Sequence, residues 1–190
     1  MEIIKTDIDD VVILQPRIFT DARGYFFESY AKREFDQLVG EVNFVQDNES
    51  SSCYGVLRGL HFQKPPYAQS KLVRVVKGRV LDVAVDIRRG SPTYGQHVIC
   101  ELTAENHLMF FIPHGFAHGF VVLSEQAVFQ YKCDHFYHPE SEGAIAWDDP
   151  DLAIDWHIPS QDIILSAKDR HHPRLCEIET PFVFQEDTIH

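Results

Sequence analysis

Between residues 42 and 138 the chain repeats one pattern: short runs with the period of a β-strand, separated by turn residues. In RVLDVAVDI, Leu81, Val83, Val85 and Ile87 alternate with Asp82, Ala84 and Asp86. Lys77 and Gly78 just before it read as a tight turn between two strands. HVICEL, LMFFIP and AVFQYKC follow at intervals typical of an antiparallel sandwich or barrel. Within AVFQYKC, Phe129, Tyr131 and Cys133 share one face, and Val128, Gln130 and Lys132 share the other. Residues 3–27 read as further short strands with a turn at 21–24. One helix is expected after them, with Ser29 as its cap, Ala31, Phe35, Leu38 and Val39 on one face, and Gly40 just past its end. The C-terminal part, with DDPDLAIDW and AKDRHHPRL, reads as short helical turns and loops. The expected fold class is therefore mainly β, a sandwich or barrel with a few short helices.

With 190 residues and no repeat or linker, the chain is expected to form a single domain over 1–190. Its formal net charge of -12 argues against a nucleic-acid polymer or an anionic membrane as partner. A small anionic substrate would then need a local cluster of Arg and Lys. Cys53, Cys100, Cys133 and Cys176 are far apart and show no zinc-ligand spacing, so a reduced, cytoplasmic setting is expected. Met1 leads straight into EIIKTDIDD, with no basic and apolar leader, and no run reaches transmembrane length. Aromatic residues at 12% favour strands or a stacking site.

Among eleven histidines, two stand in motifs. Residues 55–63, GVLRGLHFQ, and 113–119, PHGFAHG, resemble the two halves of the cupin signature, G-x5-HxH and PxGxxH. Imidazole and carboxylate ligands suit transition metals, but the second position of HxH is Gln63, a poor ligand, and no metal is expected. A lone strand histidine is usually a satisfied structural group. Here Arg58 and Lys71 lie nearby in sequence, and such cations beside an imidazole fit an anion or a developing enolate. On a regular strand Arg58 and His61 would point to opposite faces unless Gly59 introduces a bulge.

Longer motifs resemble one family. They are FTDARGYFFESY, FVQDNESSS, GVLRGLHFQ, QSKLVRVVKGRVLDVAVDIRRGSPTYG, IPHGFAHGFVVLSE, YKCDHFYHPESEGAIAWDDPDL and LSAKD, in that order over about residues 1–176. The chain resembles the dTDP-4-dehydrorhamnose 3,5-epimerases. The resemblance implies a cupin jelly roll, a homodimer, and no metal or organic cofactor. The implied reaction converts dTDP-4-dehydro-6-deoxy-D-glucose to dTDP-4-dehydro-L-rhamnose, in dTDP-L-rhamnose biosynthesis. Protons at C3 and C5 leave beside the C4 ketone and return on the other face.

By the same resemblance His61 is the base, Asp169 orients it, Tyr131 donates a proton from the opposite side, and Lys71 stabilises the enolate oxygen. Arg23, Glu28, Gln46, Asp47, Asn48, Arg58, Lys71, His118, Glu142 and Lys168 form the implied substrate-binding set. Phe26 and Tyr137 are candidates to stack on the base of the nucleotide. Asp134, Phe136 and His138 depart from the family's pattern around Tyr137. Trp147 and Trp156 are expected to pack the C-terminal segment, and the His171–His172 pair to be exposed. Three rivals remain: an epimerase acting at one centre or on another deoxy-sugar, a metal-dependent cupin, and a non-catalytic nucleotide-sugar-binding cupin.

Overall fold

A computed structural model describes residues 1–185; the last five residues of the unit expected over 1–190 lie outside it. Four short strands come first: β1 (Glu2–Lys5), β2 (Val12–Gln15), β3 (Phe19–Asp21) and β4 (Gly24–Phe26). Helix α1 (Lys32–Leu38) follows, then β5 (Gln46–Cys53), β6 (Leu57–Gln63), β7 (Lys71–Lys77) and β8 (Arg79–Asp86). The series continues with β9 (His97–Thr103), β10 (Met109–Ile112), β11 (Phe116–Val122), β12 (Gln126–Cys133) and β13 (Glu142–Ala144).

Two antiparallel sheets face each other. Sheet one has the order β1-β2-β10-β7-β12-β5, and sheet two the order β13-β6-β11-β8-β9. The chain passes repeatedly from one sheet to the other, so Gly78, at φ +75°, forms a corner between sheets rather than a hairpin within one. Strands β3 and β4 form a separate two-stranded hairpin around residues 21–24.

The inner core takes Val73, Val75, Phe110 and Phe129 from sheet one and Val80, Phe116, Phe120 and Leu102 from sheet two. The C-terminal segment then covers the outer face of sheet two, packing Leu152, Trp156, Leu175 and Phe182 onto Leu57, Leu81, Val83 and Val121. This second layer explains a departure from simple alternation. Every residue of β8 from Val80 to Asp86 is buried, including Asp82 and Asp86. Buried carboxyls require partners; Asp86 finds Arg88, Ser91 and Thr93, and Asp82 finds His118.

The helix starts later than its expected cap. Ala31, not Ser29, occupies the N-cap and makes no side-chain cap bond. Phe35 anchors it instead, against Phe111 of β10 and Phe44. Packing thus sets the helix boundary where capping does not. Trp156 is buried as expected and donates its indole N–H to the Trp147 carbonyl at 3.0 Å. Among the described residues no helix is long and apolar enough to cross a membrane.

Candidate active site

The two glycines at Gly59 and Gly119 place His61. They face each other where β6 and β11 pair, and the register shifts between His118 and Phe120. A Cβ on Gly59 would lie 2.6 Å from the Gly119 Cα, and one on Gly119 would lie 2.7 Å from the Arg58 carbonyl oxygen. Gly59 also has φ +148°, outside the range of ordinary L-residues. The shift changes which side chains point inward. Leu57, Leu60 and Phe62 pack outward under the C-terminal segment. Arg58 reaches Ser52 on the opposing sheet, and His61 and Gln63 line a cleft between the sheets. Arg58 and His61 therefore share a face despite their spacing.

That cleft, of about 350 Å³, is lined by His61 and Gln63 from β6, Gln46 and Asn48 from β5, Lys71 from β7 and Tyr131 from β12, with Gln69, Tyr137 and Glu142 at its edge. The His61 Nε2 lies 2.7 Å from Asp169 Oδ1, and no partner engages Nδ1 among the described residues. Asp169 Oδ2 accepts from the Ser166 hydroxyl at 2.9 Å, and Oδ1 also meets His172 Nε2 at 3.2 Å. Burial opposes ionisation of Asp169. Hydrogen bonds and charge from His61, with the Ser166 and His172 bonds, outweigh it and hold the carboxyl at about 2. Asp169 is thus a fixed anion that accepts the Nε2–H of His61, a geometry that in the neutral ring puts the lone pair on Nδ1.

Tyr131 stands on the sheet facing His61, its ring 6.0 Å from the Lys71 ammonium. Burial, reinforced by Cys133, pushes its phenol up, so it is protonated at neutral pH. Burial pushes the Lys71 ammonium down, against the pull of Cys133, Asp82 and Glu142. His118 lies beneath the cleft, its Nε2 2.8 Å from Asp82 Oδ1. Burial disfavours charge on both members of that pair, lowering the imidazole and raising the carboxyl.

Gln63 is fully engaged. Its amide donates to the carbonyls of Tyr67 and Phe136, at 2.7 and 3.1 Å, and its Oε1 accepts from the His138 N–H at 2.6 Å. It pins two loops at the cleft mouth, and His138 stacks on Tyr67 with ring centroids 3.6 Å apart.

The other expected binding residues divide. Gln46, Asn48 and Glu142 line the cleft, and Lys168 pairs with Glu142 at 3.0 Å on its rim. Asp47 points the other way along β5 and pairs with Lys132. Arg23 and Glu28 stand away from the cleft on and just after the β3–β4 hairpin, exposed, with Arg23 paired only to neighbouring Asp21 among the described residues. Phe26 is exposed on the same hairpin, and Tyr137 is exposed at the cleft. Sequence reading missed Ser166 and His172. His171 is exposed as expected, but His172 is partly buried against Asp169. The pattern Asp-x-x-His in 169–172 was the available signal.

A model of the dTDP-4-dehydrorhamnose 3,5-epimerases matches residues 5–177. The chain belongs to this family. It is 56% identical over 176 residues to the dTDP-4-dehydrorhamnose 3,5-epimerase of Salmonella typhimurium, covering 92% of this chain and 96% of that one. Among solved structures, a dTDP-6-deoxy-D-glucose-3,5-epimerase from Legionella pneumophila, in complex with dTDP-4-keto-L-rhamnose, superposes with a TM-score of 0.93 at 50% identity. It covers 97% of this chain and 99% of its own. A 3'-monoepimerase from Streptomyces bikiniensis, in complex with dTDP-quinovose, shares the fold at 33% identity and a TM-score of 0.84, covering 90% and 87%. The architecture is accordingly the cupin-like jelly roll expected from the sequence.

Proposed function

We propose that the chain is a dTDP-4-dehydrorhamnose 3,5-epimerase, an isomerase that converts dTDP-4-dehydro-6-deoxy-D-glucose to dTDP-4-dehydro-L-rhamnose in dTDP-L-rhamnose biosynthesis. The observation that carries this reading is the opposition of two proton-handling groups across one cleft: His61, held by Asp169, on one sheet and Tyr131 on the other. A binding module needs no such pair. The identity to relatives of that name supports the two-centre reaction over the one-centre alternative.

In this reading the His61 Nδ1 lone pair removes the proton next to the C4 ketone. Asp169 accepts the Nε2 hydrogen and stabilises the imidazolium that forms. Lys71, which lines the same cleft, stabilises the developing enolate oxygen with its ammonium. Tyr131, kept neutral by burial, returns a proton to the opposite face. In this reading Gln46, Asn48 and Glu142, which line the cleft, hold the sugar and the nucleotide, and Arg58, whose guanidinium donates to Ser52, joins them. No step calls on a metal or an organic cofactor: both imidazoles of the cupin motifs are paired with carboxylates, and Gln63 is spent on loop backbone.

The working unit we propose is a cytoplasmic homodimer. Its support is the β3–β4 hairpin, which carries Arg23 beside exposed Phe19, Tyr25 and Phe26 and lines no part of its own chain's cleft. A second copy can bring these residues to the substrate.

The deciding experiment is turnover of the 4-keto sugar nucleotide in D2O, with deuterium followed carbon by carbon. Label at C3 and C5 is the expected result. Label at one carbon would favour the monoepimerase alternative, and no label would sink the assignment.

A further inference from the structure

His172 has no part in the reaction described above, yet it completes a constellation around the base. The Nε2 atoms of His61 and His172 converge on one oxygen, Asp169 Oδ1, at 2.7 and 3.2 Å. The two rings are perpendicular, with centroids 5.7 Å apart. One ligand atom from each of His61, Asp169 and His172 lies within 4.8 Å of the other two. Asp169 is 5% exposed in its side chain and His172 18%, so neither is a loose surface group. Two imidazoles and one carboxylate make a donor set that suits zinc and its neighbours, with bonds of about 2.0–2.2 Å. Around a tetrahedral ion such bonds hold ligand atoms roughly 3.3 Å apart; the two imidazole nitrogens stand 2.7 and 3.2 Å from Asp169 Oδ1 and within 4.8 Å of each other, so small movements bring the three into place. A hollow lined by His61, Glu142, Lys168 and His172 gives access from solvent.

We propose that His61, Asp169 and His172 form a binding site for a zinc-class divalent cation, whose occupancy switches the base off. The proposal rests on His61 acting as base through Nδ1. With Asp169 holding the Nε2 hydrogen, the Nδ1 lone pair is free. A cation coordinated by the two Nε2 atoms takes the lone pair at each, so the hydrogen that each ring had given to Asp169 moves through solvent to its Nδ1, in His61 as in His172. Each ring stays neutral and nothing is oxidised or reduced, but the atom facing the substrate then carries a hydrogen and accepts none. This site is distinct from the arrangement of the metal-binding cupins, whose second histidine is Gln63 here and whose last is His118, turned to Asp82.

The test has a binding arm and a turnover arm. In chelator-free buffer, cobalt(II) is titrated into the purified protein and its visible absorption followed, and zinc(II) binding is measured by calorimetry. One site per chain is expected whose affinity falls by about tenfold or more in His172→Gln and is unchanged in His171→Gln. Zinc should inhibit wild-type turnover with a midpoint matching its binding, EDTA should reverse it, and the midpoint should rise in parallel in His172→Gln, each protein being compared with its own metal-free rate. Absence of binding, or binding indifferent to His172→Gln, overturns the site. Binding that depends on His172 without inhibition overturns the blocking step. Because the cobalt spectrum needs no turnover, failure of the epimerase reading would be seen separately.

Discussion

Gln63 holds three backbone groups from two loops, and this occupation explains why a side chain so close to the first cupin histidine serves structure. Replacing it with Ala leaves those groups short of partners. A loss of about 1–3 kcal/mol is expected in chemical denaturation, together with a raised KM as the loop carrying Tyr137 loosens. At the neighbouring base, His61→Ala should abolish exchange at both carbons. Asp169→Asn should lower kcat by about 10²–10⁴, since the ring loses the anion that fixes its tautomer. Tyr131→Phe should still wash label out of the substrate while failing to deliver inverted product; normal inversion would remove Tyr131 from the acid role. Asp169 also makes a pH prediction. Its folded value of about 2 lies below the ordinary carboxylate value, so its contribution to stability is present above about pH 4 and is lost as pH falls toward 2. Asp169→Asn should flatten that part of a stability–pH curve measured by thermal unfolding. That His61, Lys71 and Tyr131 belong to one cleft was legible in the sequence because long motifs surround them. His172 was not, because only the fold of the C-terminal segment turns one member of a His-His pair inward.

Strand β6 shows what an element contributes. Its sequence makes Arg58 and His61 look incompatible, and the Gly59–Gly119 contact removes the conflict by shifting the register once. A methyl group at Gly59 meets backbone, which cannot move aside as a flexible side chain would, and the residue would also be held at a strongly unfavourable φ. Gly59→Ala is expected to cost at least about 2–3 kcal/mol and to reduce turnover in whatever fraction still folds, because His61 loses its direction. A variant with wild-type melting temperature and turnover would contradict this account. The sequence announced most of the strands through their period, and Gly59 as the place for a bulge. It did not reveal that Gly78 turns a corner between sheets, since a tight turn has the same residues in either setting. Nor did alternation in β8 reveal its second buried face, which depends on a segment some seventy residues away.

At the scale of the molecule, two pieces of machinery lie outside the strands that frame the cleft. The first is the β3–β4 hairpin. If it serves the site of a second copy, Arg23→Ala and His61→Ala should each be poorly active alone yet complement each other when co-assembled. A mixed dimer then keeps one intact site, and a random mixture should recover about a quarter of wild-type turnover. Light scattering should give twice the 21.9 kDa chain mass; a monomer that turns over normally would refute the arrangement. Position along the sequence could not settle this, because a motif names residues without saying whose cleft they enter. The second piece is the C-terminal segment, which lies over sheet two and carries Asp169 and His172. Its consequence lies in the order of synthesis. A chain still being translated has His61, Lys71 and Tyr131 in hand once residue 131 is made, yet lacks the carboxylate that meets the His61 imidazole until residue 169 emerges. Full activity thus arrives last, after the layer that covers the sandwich has closed, and a chain truncated near residue 160 would have the framing strands of the cleft and an undirected histidine inside it.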